Sequence, residues 1–487
     1  MGDFPLWIRA THWINVLFIG LMMRAGIQIL AAYPRLYWDD HCKPGTEWLK
    51  FTRRKIREEN LWTALEQEEE PSAWIAQPGG NNLGMGRHWH FFGAIFWVAN
   101  GVVYVTLLFA TGMWRRLVPT SWGIFPDAFR TATEYAQFQL PPASAFDPFD
   151  PLQQLTYFAV IFLLGPFLIL TGMAQSPAIA ARFPRYLAIF GGRQRARSLH
   201  FLGLASFVLF TIGHVALVAI TGLRANLGDM ILGQHDTHGN LAVAIAGALL
   251  LAFAAIYALT SWASRRVPRR TKLVLSRFVL PPMRTLSLRG ASRQRYRPKD
   301  ISPYFLINGR PPTSDEYEEL ERDGFGRWRL EVGGMVANPL RLTLDEIRAF
   351  PSEAQITKHH CIQGWTGIAQ WRGAPLSQIV DLCQPLATAR YMVFWSHQFD
   401  TSGQPFYESL DIRLARHPQT VLAYEMNGSP LPVPYGAPLR LRVETELGFK
   451  MVKWLRAIEF TDDLRSLRDG QGGSREDNMH YEQSVSI

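Results

Sequence analysis

Cys361 stands in the run Lys358-His359-His360-Cys361-Ile362-Gln363-Gly364-Trp365. A lone thiolate suits a soft metal that draws its other ligands from an organic cofactor and from oxygen. The remaining cysteines, Cys42 and Cys383, form no CxxC pair with it, so a disulfide framework, a zinc site and an iron-sulfur centre are not expected. Lys358, His359 and His360 are near enough in sequence to raise the thiolate character of Cys361 or to meet an anionic substrate; solvated polar residues are the plainer reading. A second constellation is four histidines in apolar stretches, His12, His90, His200 and His214. Imidazole in a bilayer is costly unless it binds something. His200 and His214 are fourteen residues apart, so on one helix they share a face about 21 Å apart along the axis, the spacing of two hemes stacked across a membrane. Because helix direction alternates, His12 and His214 fall near one surface and His90 and His200 near the other, which pairs them by depth. His88 competes with His90, since only one of the two can face the bundle in a helical segment.

The elements that must position these groups are of two kinds. Five stretches, about 8–32, 90–113, 152–175, 200–222 and 240–262, are long and apolar enough to cross roughly 30 Å of hydrocarbon. A surface helix is expected within 47–70. Past Arg265 the pattern turns to short β-branched runs broken by Gly and Pro, such as Leu439-Arg440-Leu441-Arg442-Val443. The expected fold class is multi-domain: an all-α five-helix transmembrane bundle (1–264), a basic linker (265–300), a mixed α+β, strand-rich domain (301–465) and a polar tail (466–487) that wraps its surface.

The formal net charge is +9 over 487 residues, and 265–299 holds twelve Lys or Arg and no acid. Directly after an apolar segment such a run points to anionic lipid headgroups, not to nucleic acid. Lys and Arg number eight and five in the first and third loops, against three and one in the second and fourth. This bias places the soluble domain on the inner face of a bacterial cytoplasmic membrane, with the periplasmic face as the alternative. The first residues show no basic n-region, cleavage site or twin-arginine pair, so no removable export signal is expected.

Two resemblances sharpen this reading. The runs Pro5-Leu6-Trp7-Ile8-Arg9-Ala10-Thr11-His12-Trp13, Arg87-His88-Trp89-His90-Phe91-Phe92-Gly93, Asn100-Gly101-Val102-Val103-Tyr104 and Ser198-Leu199-His200-Phe201 resemble the di-heme cytochrome b subunits of bacterial hydrogenases, formate dehydrogenases and thiosulfate reductases. The resemblance covers about 5–262 and implies two b hemes, His90 over His88 as the ligand before Phe-Phe-Gly, and electron exchange with membrane quinone at the heme farther from the partner enzyme. Arg24 could face a propionate or a quinone; a bundle-paired or snorkelling arginine is the plainer reading.

The segment 356–365, with Trp371-Arg372-Gly373-Ala374-Pro375-Leu376, Leu422-Ala423-Tyr424-Glu425-Met426-Asn427-Gly428 and Tyr435-Gly436-Ala437-Pro438-Leu439-Arg440, is similar to the sulfite oxidase superfamily, and within it to the catalytic subunits of bacterial methionine sulfoxide reductases. That likeness implies molybdopterin with molybdenum, Cys361 as the catalytic metal ligand, and Arg440 as the pterin-binding arginine. Tyr304 and Phe305 stand where the amino-terminal pterin contacts begin. Met451-Val452-Lys453 replaces a Gly-Ile-Lys element, Tyr435 an asparagine and Ser396 a threonine. The function implied is reduction of an S-oxide or N-oxide by electrons passed from quinol through two hemes to molybdenum. The alternatives are a sulfite-type dehydrogenase that feeds quinone, and a cytochrome b anchor for a redox partner.

Overall fold

The computed structural model describes residues 4–55, 63–139, 149–235, 238–287, 295–400 and 402–483. Five helices are long and apolar enough to cross a membrane: Leu6–Ala32, Leu83–Ala110, Pro151–Ala174, Arg193–Ile220 and Leu241–Arg266. Their apolar side chains mostly point outward, as they must when lipid is the solvent. The first two are cross-tied where Asn100 Nδ2 donates to the Thr11 carbonyl and to Asn15 Oδ1, at 2.9 and 2.8 Å.

The second and fourth spans begin at Leu83 and Arg193, well before their apolar runs. Their first turns lie against the rest of the chain and not in lipid. Arg193, Gln194, Arg197 and Ser198 are all buried, and Arg197 donates to the carbonyls of Tyr33 and Arg35 at 2.6 and 2.8 Å. The third span contains a π-helical turn, Ala159–Leu164. Pro166, just beyond it, has no N–H to return to the preceding turn, and the helix widens ahead of the missing donor.

The helix expected within 47–70 is not present among the described residues there; 56–62 lie outside the description. β1 (Arg35–Leu36) pairs with β2 (Leu49–Lys50), and Ala64–Gln67 forms one 3₁₀ turn. The segment's charges are spent on partners across the loop and not on helical neighbours: Arg35 with Glu47, Arg54 with Glu69 and Glu66 with Arg310. The expected linker also differs. Pro268–Ser287 is an amphipathic helix whose Leu275 and Val279 are buried and whose Phe278 ring lies 5.5 Å from those of Phe92 and Phe96.

The carboxy-terminal half is built on β3 (Arg329–Gly334), β4 (Leu340–Thr343), β5 (Glu353–His360), β6 (Thr366–Pro375), β7 (Tyr391–Phe399), β8 (Pro405–Asp411), β9 (Thr420–Met426), β10 (Ser429–Pro430), β11 (Arg440–Val443) and β12 (Leu455–Thr461). One sheet has the order β10-β9-β6-β5, with β11 also on β9; the other is β4-β3-β12-β7-β8, with only the β3–β12 pair parallel. Side chains from both sheets, including Leu330, Met392, Phe394, Leu422, Leu441 and Ile458, form one core.

The tail was expected to be a polar surface extension. It lies on the domain, as a wrapping tail would, and docks through a buried charge cluster: Lys450 bridges Glu408 at 3.0 Å and Glu476 of the short helix Ser474–Met479, all three fully buried. Tyr407 donates to Asp477 at 2.7 Å. Farther on, Glu482 accepts from Ser276 at 2.6 Å and meets His88 Nε2 at 3.0 Å, so the tail ties the soluble half to the second span. Lys450→Met strands two carboxylates and should cost about 3–5 kcal/mol. The expected result is a lower melting temperature and faster trimming by carboxypeptidase; an unchanged protein would show that the cluster does not hold the tail.

Candidate active site and electron path

Cys361 caps the β5–β6 hairpin. His360 pairs with Thr366, Cys361 N–H donates to the Trp365 carbonyl at 3.1 Å, and Gly364 turns the chain with φ of +120°, a backbone only glycine adopts without strain. The sulfur is buried, with its thiol directed at Gln363 Oε1 and Asn308 Oδ1 at 3.3 and 3.6 Å. Gln363 is itself held from the first loop of the membrane half, donating to the Ala64 carbonyl at 3.2 Å and to Glu68.

Burial pushes the Cys361 thiol up to about 11. The neighbouring cations do not offset this, contrary to the expectation that they raise its thiolate character. Burial works against the charge on Lys358, but Asp40, 2.6 Å away, holds that charge and occupies it. Burial, reinforced by Arg442 and Arg440, keeps His359 neutral, and burial with Arg193 does the same for His360. A bound metal cation is the agent that turns such a thiol into thiolate.

Beside the hairpin lies a cradle of buried cations. Arg440 and Arg442 alternate on β11, so both point to one face, and their guanidinium carbons lie 4.7 and 4.4 Å from the centre of the Trp371 ring. Arg442 pairs with Glu444 at 2.7 Å and donates to His359 at 3.2 Å. Among the described residues Arg440 and Lys453 find no carboxylate: they donate to the Tyr435 and Pro434 carbonyls, each at 2.8 Å, and Arg440 Nε is buried with no hydrogen-bond partner. Burial and the neighbouring cation, Arg442 and Arg440 respectively, push Arg440 and Lys453 well below their ordinary values. Excess buried positive charge with an orphaned donor fits a phosphate-bearing cofactor. Gly436, at φ of +118°, permits the packing: a Cβ there would sit 2.9 Å from that of Lys453.

The other expected residues lie around this cradle. Tyr435 donates to the Phe305 carbonyl at 2.7 Å, and the Phe305 ring packs 5.7 to 5.9 Å from His359, Trp371, Trp365 and Tyr435. Tyr304 packs at the edge of the same cluster. Ser396 donates to the Lys453 carbonyl at 2.7 Å and so fixes the backbone. Met451 and Val452 belong to the core and position Lys453 through the chain. Reading the sequence did not select Arg442, Trp371, Asn308 or Gln363; the i, i+2 arginine pair on one strand was the signal for Arg442.

In the bundle the imidazole rings of His12 and His214 are centred 6.3 Å apart and those of His90 and His200 6.4 Å apart. Two metal–nitrogen bonds of about 2 Å, with about 1 Å from each nitrogen to its ring centre, give the same span of about 6 Å. Nδ1 is engaged in three of the four: His90 with the Met22 carbonyl at 3.2 Å, His200 with Thr171 at 3.1 Å and His214 with Tyr157 at 3.5 Å. The Met22 carbonyl can only accept, so it fixes the His90 tautomer and leaves Nε2 for a metal. His88 has both nitrogens occupied, by the Gly84 carbonyl at 2.8 Å and by Glu482. Arg24 is bundle-paired, donating to the carbonyls of Ala73 and Ala76 and to Ser261.

The two sites meet at the start of the fourth span, where Arg193 and Gln194 donate to the Gly364 carbonyl at 3.2 and 2.8 Å. His200 is seven residues farther along that helix, about 10 Å of rise.

Two family models match this arrangement, one on each half. The prokaryotic cytochrome b561 family model matches residues 3–233, and the oxidoreductase molybdopterin-binding domain model matches 318–466. Each half of the chain is thus similar to one of these families, the first over a region with five helices long and apolar enough to cross a membrane, and the chain spans about half to two thirds of the length of the curated relatives it matches. It is 36% identical over 148 residues to the "putative protein-methionine-sulfoxide reductase subunit YedZ1" of Azospira oryzae, covering 30% of this chain and 53% of that protein. It is 34% identical over 203 residues to the "protein-methionine-sulfoxide reductase catalytic subunit MsrP" of Xanthomonas axonopodis pv. citri, covering 38% and 63%. The sulfane dehydrogenase SoxCD from Paracoccus pantotrophus aligns over 31% of this chain and 40% of that one at 22% identity and a TM-score of 0.27, too low to bear on fold or function.

Arg440→Met removes a cation whose charge-assisted bonds are worth about 1.5–3 kcal/mol each. Purified protein should then retain roughly a tenth or less of the molybdopterin with heme unchanged; equal pterin content would show that the cradle serves another purpose.

Proposed function

We propose that the chain takes electrons from membrane quinol, passes them through two b hemes held by His12 with His214 and His90 with His200, and uses them at molybdenum to reduce a small S-oxide or N-oxide. The observation that carries this reading is the pair of hydrogen bonds from the fourth span to the Gly364 carbonyl, which joins the Cys361 turn directly to the helix that bears His200.

The balance is R₂S=O + 2e⁻ + 2H⁺ → R₂S + H₂O: the sulfur–oxygen bond breaks, sulfur is reduced and the oxygen leaves as water. Arg440, Arg442 and Lys453 would hold a molybdopterin, with Cys361 as the protein's ligand to molybdenum, and the cofactor would supply a metal centre able to exchange an oxygen atom with the substrate. Gln363 and Asn308 orient the sulfur. The 63–68 segment and the tail cover it and limit water, which strengthens every electrostatic contact beneath. The cation-rich loops favour a cytoplasmic soluble domain in a bacterial inner membrane. Alkaline phosphatase fused after the tail should be inactive there, and activity would place the domain outside.

Dithionite-reduced protein mixed with dimethyl sulfoxide should show its heme bands bleach to the oxidised form. Bands that stay reduced with every oxide, together with heme reduction when sulfite is added to oxidised protein, would reverse the direction. Cys361→Ser should keep both hemes and lose turnover by about 10³-fold or more. His90→Ala should lose one heme, whereas His88→Ala should retain both; the opposite pattern would move the ligand to His88.

A further inference from the structure

The tail brings to the Cys361 site a tyrosine that the function above does not use. Tyr481 is 2% exposed and belongs to the same apolar cluster as Cys361, Ile362, Trp365 and Phe449. Its position is set from several sides. Lys272 donates to its carbonyl, the adjacent Glu482 is held by Ser276 and His88, and its ring lies 5.3 Å from that of Phe449. The hydroxyl differs from the ring: its oxygen is buried and has no hydrogen-bond partner among the described residues. Phenylalanine would fill the same space without stranding a polar atom, so packing alone does not account for tyrosine there. Arg87, Arg475, Cys361 and Glu68 interact electrostatically with this hydroxyl, in keeping with its place in the cluster that holds Cys361.

We propose that Tyr481 is a substrate-contacting residue of the molybdenum site, its hydroxyl donating a hydrogen bond to the oxygen atom that a small oxide presents beside Cys361. This rests on the reading of Cys361 as a metal ligand. A phenol is a donor at neutral pH, and a preorganised donor aimed at an oxygen that gains negative charge as its bond to sulfur breaks lowers the barrier. The site's enclosure by the tail and by the 63–68 segment, which grips Gln363, suits a free small molecule.

The test is Tyr481→Phe in the full-length holoenzyme, with four readouts: molybdenum and heme content, melting temperature, the Mo(V) electron paramagnetic resonance spectrum, and reoxidation of the hemes by dimethyl sulfoxide. Expected are wild-type metal and heme content, an equal or higher melting temperature, an altered Mo(V) spectrum, and a fall of at least ten-fold in kcat/KM with a raised KM. Turnover within two-fold of wild type with an unchanged Mo(V) spectrum overturns the proposal. Loss of molybdenum or a lowered melting temperature also overturns it, because the side chain would then serve structure. Wild-type protein without molybdenum would instead refute the function on which the proposal rests.

Discussion

One backbone carbonyl joins the Cys361 turn to the fourth span. Gly364 O receives hydrogen bonds from Arg193 and Gln194, the first residues of the helix that bears His200 and His214. The turn that exposes this carbonyl requires the positive φ of Gly364, and the same turn sets the direction of Cys361 three residues earlier. Asp40 closes the arrangement from the side, accepting from the Gln194 backbone at 2.8 Å and pairing with Lys358 on β5. The early start of the fourth span follows from this contact: its first two turns serve the soluble half, and only then does the sequence become apolar.

Two buried charge clusters in the soluble half contrast usefully. Around Lys450 two carboxylates face one ammonium; burial and Glu476 push the Glu408 carboxyl well above its usual range, which brings the cluster toward neutrality as a structural clasp for the tail. In the cradle three cations, Arg440, Arg442 and Lys453, face one carboxylate, Glu444, and an Nε is left over. A balanced cluster needs no ligand, but excess positive charge in a dry site is costly until an anion arrives. The stacking of both guanidiniums on Trp371 keeps the cradle shaped for that anion.

The spans were legible because twenty or more apolar residues have one use, and depth within them gave the same histidine pairing that the rings adopt in the structure. The strand-rich half was legible from its β-branched runs. The beginnings of the second and fourth spans were not, because buried polar turns look like loops until their partners are known. The same holds for 47–70, whose charges pair across a loop, and for the tail, whose acids look like surface residues until Lys450 is placed. His88 could not be told from His90 by position, since its partner Glu482 is 394 residues away in sequence. Thr171, Tyr157 and the Met22 carbonyl, which hold the imidazoles, carry no motif.

The central claim is that a thiol-bound molybdenum lies within short range of the His90 and His200 heme. Relaxation of the Mo(V) signal, measured by pulsed electron paramagnetic resonance with the hemes oxidised and then reduced, tests it directly. Markedly faster relaxation is expected when the neighbouring heme is paramagnetic; identical relaxation in both heme states would place the two centres out of short range.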